Sequence, residues 1–212
     1  MSDQVYDTLE WTGALRHITT CKGIGLFEPQ AHGLAPVEFM STCRRGYYCR
    51  YAVEEGRLFL TEVHVGLGGP AEAAATAGDG PLLFGRAPRR YMMYAYRMGD
   101  VSGGQMGRTS LESPDWVYGD LHEPLAFTGG LMVAMDTVAD LYPYSGARPG
   151  YVFASLSELL FEGGRMARYL DHSAAMAGLR NDLARRDGEG DSPSTPWRQW
   201  LLRRGYEPDA SP

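Results

Sequence analysis

The chain has 212 residues, of which 44 % are hydrophobic and 22 % are charged, and its formal net charge is −6. This composition predicts a soluble globular protein, and the acidic balance argues against the basic face on which general binding of nucleic acid or anionic membrane depends. No apolar run reaches the roughly 20 residues of a membrane span, and no signal-peptide layout begins the chain, so we expect a cytoplasmic protein.

The three cysteines, Cys21, Cys43 and Cys49, form no CxxC pair. In a cytoplasmic protein they are expected to be reduced thiols. Cys49 alternates with tyrosine and valine along a predicted strand, which favours a small core residue over a metal ligand.

Short extended runs separated by turn residues dominate the first third of the chain. Thr12-Gly13 separates two such runs and predicts a hairpin. Frequent Gly and Pro over residues 21–40 predict an ordered loop. Ser41–Val65 then predicts a second hairpin, in which apolar and polar residues alternate on either side of a tight turn at Glu55-Gly56.

The middle of the chain alternates between strands and glycine-rich segments. Residues 66–90 are predicted to be an insertion, with two helical turns near Pro70–Ala77, and a second glycine-rich insertion is predicted over 99–113. Strand-like composition returns between these insertions at 90–98 and again over 116–134.

The last third of the chain contains a fainter copy of the second hairpin. Tyr151–Asp171 has Glu-Gly-Gly-Arg at its turn, where Ser41–Val65 has Glu-Glu-Gly-Arg. Ser173 is predicted to cap a helix whose apolar residues recur with helical spacing. A polar linker follows, and Trp197–Arg204 is predicted to form a short amphipathic helix.

These elements predict an α+β fold of mainly antiparallel strands, either a sandwich or an open barrel of short strands, with a C-terminal helix. Residues 1–187 form the predicted β-rich domain, with its insertions at 66–90 and 99–113. Residues 188–212 form the predicted polar linker and amphipathic tail.

Two passages resemble a family of small uncharacterised bacterial proteins. In the second hairpin the matching residues are Ser41-Thr42, Arg45-Gly46-Tyr47, Glu55-Gly56-Arg57 and Leu58-Phe59-Leu60. The other passage contains Phe127-Thr128-Gly129 and continues into the hairpin that begins at Tyr151. The resemblance implies a shared scaffold, but it implies no activity, cofactor or catalytic residue.

Local motifs for common chemistry are absent from the sequence. Gly107-Arg108-Thr109 lacks the Lys and the spacing of a phosphate-binding loop, and Ser102 does not lie in a Gly-x-Ser-x-Gly elbow. The histidines are scattered without the spacing of metal ligands. The sequence therefore predicts no cofactor and no metal.

The first functional hypothesis is a non-enzymatic binding module. Arginine beside tyrosine on a strand can recognise carboxylate, phosphate or a stacked ring, so the ligand is predicted to be a protein partner or a small anionic molecule. By analogy alone, small acidic bacterial proteins without catalytic motifs include immunity proteins that neutralise a toxin. The predicted ligand-binding residues are Arg44, Arg45, Tyr48, Arg50, Tyr94 and Tyr96.

Trp197 and Trp200 of the predicted tail helix have two interpretations. They can dock on the sheet of this chain, or they can anchor a partner protein, because exposed Trp beside Arg is typical of binding hot spots. The sequence leaves both interpretations open.

The alternative hypothesis is an enzyme whose acid–base site lies in a barrel mouth or a sheet cleft. Its residues would be His64, His122, Glu123, Asp171 and His172. The sequence leaves open whether the protein is an enzyme, which substrate or partner it takes, and which oligomeric state it adopts.

Overall fold

A computed structural model of the chain describes residues 4–97, 107–138, 149–185 and 194–207. For residues 92–97, 107–112 and 194 it describes the backbone alone. The chain divides into two compact units. The ring unit consists of Met1–Glu28, Tyr48–Thr61 and His122–Pro212, and the insert unit consists of Pro29–Tyr47 and Glu62–Leu121. The predicted boundary between residues 187 and 188 lies outside the described residues.

Strands make up most of the regular structure. They are β1 (Thr8–Trp11), β2 (Ala14–Ile24), β3 (Tyr47–Glu54), β4 (Arg57–Val65), β5 (Arg89–Arg97), β6 (Gly107–Tyr118), β7 (Glu123–Pro124), β8 (Thr128–Thr137), β9 (Phe153–Glu162) and β10 (Arg165–Asp171). The helices are α1 (Gly69–Thr76), α2 (Ser173–Arg185) and α3 (Ser194–Leu202). None of the helices in the described part of the chain is long and apolar enough to cross a membrane.

The strands of the ring unit pair in the order β10-β9-β8-β2-β1-β3-β4. The pair of β1 with β3 is parallel and sits among antiparallel hairpins. The start of β4 then pairs with β10 through Arg57 and Arg165, so the sheet closes into a ring. The predicted α+β, mainly antiparallel fold with a C-terminal helix is therefore confirmed.

Tight turns with positive φ explain why the predicted hairpins form. Thr12-Gly13 has φ of 52° and 73°, Glu55-Gly56 has 48° and 75°, and Gly163-Gly164 has 53° and 79°. Two consecutive residues with positive φ define the type I′ turn, whose twist matches that of paired strands. Glycine at the second position adopts this conformation without a steric penalty. The three predicted hairpins are therefore confirmed at the turns that the sequence indicated.

Helices α2 and α3 pack on one face of β8 and β9. Alternate residues of β8 separate the two faces, so that Met132 and Ala134 join the cluster under the helices while Leu131 and Val133 point the opposite way. Trp197 and Tyr206 complete this cluster from the C-terminal segment. The other members are Tyr151, Val152, Phe153, Leu156, Met176 and Leu201.

The insert unit is organised around the end of β4. Val63–Val65 pairs antiparallel with Trp116–Tyr118 of β6, and β6 pairs with β5. Helix α1 forms within the predicted insertion at 66–90, as the helical turns near Pro70–Ala77 indicated. Strand β6 begins at Gly107, inside the segment predicted to be a glycine-rich loop, because its residues continue a long ladder with β5.

Candidate functional site

Each histidine among the predicted acid–base residues has its own carboxylate neighbour. His64 contacts Asp115, His122 contacts Glu54, and His172 contacts Glu158. His64 belongs to the insert unit, and the other two histidines belong to the ring unit. The three histidines therefore contact three different carboxylates rather than a shared one.

His64 is buried between two carboxylates, and its side chain is 0 % exposed. Its Nδ1 lies 2.6 Å from Oδ2 of Asp115, and its Nε2 lies 2.6 Å from Oε1 of Glu62. Glu62 and His64 share one face of β4 because they are two residues apart on a strand. Asp115 comes from the paired strand β6, where the hydroxyl of Ser113 donates a hydrogen bond to Asp115 Oδ1. Alternate residues on two paired strands thus build the cluster.

The protonated form of His64 and the ionised form of Asp115 stabilise each other. Burial alone lowers the pKa of His64, but the hydrogen bonds with Asp115 and Glu62 raise this pKa above its ordinary 6.5. Burial raises the pKa of Asp115, but the hydrogen bonds with His64 and Ser113 lower this pKa below 3.8. The geometry therefore favours an imidazolium held between carboxylates.

This arrangement differs from that of a nucleophilic triad. Both ring nitrogens of His64 are already within hydrogen-bond distance of carboxylates. The Ser113 hydroxyl donates to Asp115, whereas a triad requires the nucleophilic hydroxyl to lie against the imidazole. The cluster is therefore suited to hold charge inside the insert unit rather than to activate a hydroxyl.

His122 and Glu123 lie near the surface of the ring unit. The side chain of His122 is 60 % exposed, and its Nε2 is 3.8 Å from Oε2 of Glu54. Its ring stacks on Phe59 with a centroid distance of 4.1 Å. Glu123 is half-buried and pairs through its backbone with Leu60 in β4. His122 therefore lies in a solvated setting, unlike the buried His64.

His172 lies beside a buried carboxylate that also contacts the C-terminal segment. The Glu158 side chain is 5 % exposed, and one of its oxygens lies 3.0 Å from Nε2 of His172. Its other oxygen accepts a hydrogen bond from the Tyr206 hydroxyl at 3.0 Å and lies 3.4 Å from Nζ of Lys22. Burial raises the pKa of Glu158, but these three neighbours lower the pKa below its ordinary value. The cluster therefore joins the C-terminal segment to the sheet.

Asp171 is the last residue of β10 and hydrogen-bonds to the first residue of α2. Its Oδ1 accepts hydrogen bonds from the backbone N–H and the hydroxyl of Ser173, at 2.9 and 2.6 Å. These bonds lower the pKa of Asp171 below its ordinary value. Ser173, predicted as the cap, is instead the first helical residue, because an aspartate two positions earlier accepts its N–H.

The residues predicted to form a Tyr/Arg surface are distributed over both units. Arg44 and Arg45 belong to the insert unit, and Tyr48 and Arg50 belong to the ring unit. The guanidinium of Arg45 stacks over Tyr47 and donates from Nε to the Tyr47 carbonyl at 2.7 Å. The side chains of Tyr94 and Tyr96 lie outside the described residues, although their backbone belongs to β5.

Trp197 of α3 is buried in the cluster between the helices and the sheet. Of the two interpretations of the tail, its position fits docking on the sheet of this chain. Trp200 is half-buried, stacks on Trp197 at 5.3 Å and carries Arg204 over its ring. A Cβ on Gly150 would lie 2.4 Å from the Trp197 ring. The close fit at Gly150 therefore helps to place this helix.

A cleft that the sequence did not indicate lies where the ring of strands closes. It has a volume of about 280 Å³ and is lined by Arg57–Leu58, Pro124–Ala126 and Gly163–Arg165. It lies between the turns of the two similar hairpins, which the ring closure brings together. We call it the arginine cleft.

Arg57 and Arg165 are directly opposite each other across the ring closure. The backbone hydrogen bonds join the residues on either side of them, at 2.8 and 2.9 Å, so the arginines themselves form a non-hydrogen-bonded pair. Side chains in such a pair share a face, with Cβ atoms about 5 Å apart. Both arginines are exposed, and neither side chain makes a hydrogen bond or ion pair with a residue in the described ranges.

The acidic residue nearest in register to Arg57 does not neutralise it. Glu54 lies across the same tight turn, but its carboxylate is directed to His122. None of the described residues that line the cleft is acidic. The cleft therefore concentrates positive charge on a chain whose formal net charge is −6.

The sequence contained one signal for this cleft, the repeated Gly-Arg at the turns of two similar hairpins. That repetition predicted two turns, but it did not predict that the turns would meet. No family model, curated protein or solved structure matched this chain.

Proposed function

We propose that this protein is a non-enzymatic binding module that holds an anionic group in the arginine cleft. The observation that carries the proposal is the direct opposition of Arg57 and Arg165, whose side chains form no ion pair with a described residue. Like charges directly opposite each other destabilise a strand pair. An anion between the two guanidinium groups removes that repulsion and gains charge-assisted hydrogen bonds.

The charge of the cleft favours a dianionic group. Two guanidinium groups match a phosphate monoester or a pair of carboxylates better than a single carboxylate, because each planar fork can bind two oxygens. The volume of about 280 Å³ lies just below the usual range for small-molecule sites, which begins at about 300 Å³. The cleft therefore fits one anionic group and a short neighbouring segment of its ligand.

The remaining walls are apolar or provide backbone. Leu58 is fully buried beneath the cleft, and Leu125 is half-buried at its side. Gly164 allows the β10 turn to approach Leu125, since a Cβ there would lie 1.8 Å from the Leu125 carbonyl oxygen. A ligand with an anionic head and an adjoining apolar portion is thus complementary to this surface.

Titration with inorganic phosphate and with succinate tests the proposal. At ten times the dissociation constant, ligand binding stabilises the folded protein by about 1.4 kcal/mol. For a chain of this size that corresponds to a rise in the thermal midpoint of about 3 to 6 °C. Amide chemical shifts of Gly163 and Gly164 should move in the same titration.

Arg57→Gln is expected to abolish both the rise in the thermal midpoint and the amide shift changes. Arg203→Gln is the matched control. Arg203 is exposed after α3 and does not line the cleft. Equal anion responses in the two variants would show that binding is general attraction to arginine, and the proposal would then be wrong.

A further inference from the structure

The strand that carries Arg165 has one unpaired edge. Strand β10 pairs with β9 along its length, whereas on its other side it pairs with β4 at Arg165 alone. Arg168–Asp171 therefore has no partner strand on that side among the described residues. In an antiparallel edge strand, every second residue directs its N–H and C=O groups to the open side. Four residues of strand offer an edge about 14 Å long.

Positive charge continues from the arginine cleft along this edge. Arg168 is exposed, and its side chain, like those of Arg57 and Arg165, makes no hydrogen bond or ion pair with a residue in the described part of the chain. In the register with β9, Arg165 and Arg168 lie opposite Glu162 and Leu160, which share one face of β9. The arginines therefore form a row on one face of the strand.

The other face of the same edge is aromatic. Tyr169 is 46 % exposed, and its ring lies 4.9 Å from the ring of Trp11. Because side chains alternate along a strand, Tyr169 points to the face opposite Arg168. A segment paired with β10 would thus meet positive charge on one face and aromatic surface on the other.

A second copy of this chain is a poor occupant of the edge. Antiparallel pairing of two β10 strands would bring their Arg165 and Arg168 side chains together, and charged residues on an edge discourage such self-pairing. A bulge at Ala167 also discourages self-pairing of this edge, because it interrupts the regular register with β9. These features select against self-association while they leave the edge open to a strand of opposite charge.

We infer that β10 binds an extended acidic segment of another protein, which adds to the sheet edge and places an acidic group in the arginine cleft. This inference rests on the proposed function, because it uses the cleft as one end of a longer site. Main-chain hydrogen bonds give such strand addition its affinity, and side chains at alternate positions give it specificity. The complementary segment alternates acidic residues, which face the arginines, with apolar residues, which face Tyr169.

The probe is the peptide acetyl-Glu-Val-Glu-Val-Glu-Val-amide, titrated into the full chain at low ionic strength by calorimetry and amide chemical shifts. Shift changes are expected at Arg168–Asp171 as well as at Gly163 and Gly164. The same peptide with N-methyl groups on its valines keeps its charge but cannot donate those backbone hydrogen bonds. Its affinity is expected to fall by about tenfold or more.

Arg168→Gln is expected to weaken binding of the acidic peptide by about twofold to fivefold and to leave the response to inorganic phosphate unchanged. Arg203→Gln is again the matched control. Equal binding of the N-methylated peptide would overturn strand addition, since charge alone would then account for the affinity.

The two proposals fail in different ways. If inorganic phosphate binds at the cleft and the acidic peptide does not bind, the edge inference is wrong and the proposed function stands. If neither probe binds, both are wrong. If the peptide binds without shift changes in Arg168–Asp171, its site lies elsewhere and the edge inference is wrong.

Discussion

The unequal burial of the two carboxylates around His64 makes a quantitative prediction. Asp115 has 1 % of its side chain exposed, whereas Glu62 has 24 % exposed. Both lie 2.6 Å from a ring nitrogen of His64. Asp115→Asn and Glu62→Gln each remove one negative charge and keep the shape of the side chain. Because the two carboxylates are equally close to His64 but unequally buried, the two variants should lose unequal amounts of unfolding free energy.

Breaking a buried ion pair from one side costs about 3 to 5 kcal/mol, because the remaining charge stays buried without its partner. Asp115→Asn is expected to approach the lower end of this range, since Ser113 can still hydrogen-bond to the new side chain. An ion pair that solvent reaches contributes about 1 kcal/mol or less, and Glu62→Gln is expected to cost about that much. The predicted ratio between the two variants is thus about threefold.

The pH dependence of the same cluster has a defined sign. The pKa of His64 is raised above 6.5, so its contribution to stability is complete below that value and is lost as pH rises through the folded-state pKa. The pKa of Asp115 is lowered below 3.8, so its contribution is present above that value and is lost as pH falls. The insert unit should therefore be most stable in mildly acidic solution, and Asp115→Asn should weaken the decline on the alkaline side.

Native-state hydrogen exchange of Val117 is the appropriate measurement, because this residue pairs with His64 and reports on the insert unit alone. A global melting curve is less suitable for this comparison, because it does not report on the insert unit alone. Equal losses of less than about 1 kcal/mol in both variants would refute the assignment of a buried ion pair. A wild-type stability that rises through the alkaline range would refute the assigned direction of the His64 pKa.

Two further predictions concern the ring unit. Tyr206→Phe removes the hydroxyl bonded to Glu158, so urea unfolding should show a loss of about 1.5 to 3 kcal/mol, and acid unfolding should begin at higher pH because the pKa of Glu158 rises. An unchanged acid transition would contradict this account. Gly164→Ala places a Cβ 1.8 Å from the Leu125 carbonyl at a φ of 79°, so faster exchange at Met166 is expected, whereas Gly163→Ala, with open space around its Cβ, should have a smaller effect. Equal exchange in the two alanine variants would show that close approach at Gly164 does not hold the ring closed.

The hairpins could be predicted because each depends on local chemistry. Glycine follows a residue with positive φ at Glu55-Gly56 and at Gly163-Gly164, and the flanking residues alternate between faces. Cys49 was expected in the core from the same alternation, and it is fully buried. These signals act within a few residues, so the sequence displays them directly.

The sites depend on contacts between distant segments, and local patterns do not encode these contacts. His64 and Asp115 are 51 residues apart, and only the spacing of Glu62 and His64 on one strand face was visible in the sequence. The parallel pairing of β1 with β3 likewise has no turn signal, because its strands are not consecutive. The predicted Tyr/Arg surface relied on composition, which does not specify which strands become neighbours.

The repeated turns allow one further argument about the arginine cleft. The glycines at positions 56 and 164 both have positive φ, so backbone geometry accounts for their repetition. The preceding turn position differs, with Glu55 in one hairpin and Gly163 in the other. Backbone geometry does not require arginine at positions 57 and 165. A pair of opposite charges would stabilise the pairing of β4 with β10, whereas two arginines weaken it. Neither backbone geometry nor the stability of the ring therefore accounts for arginine at both positions, whereas the anionic ligand that we propose would.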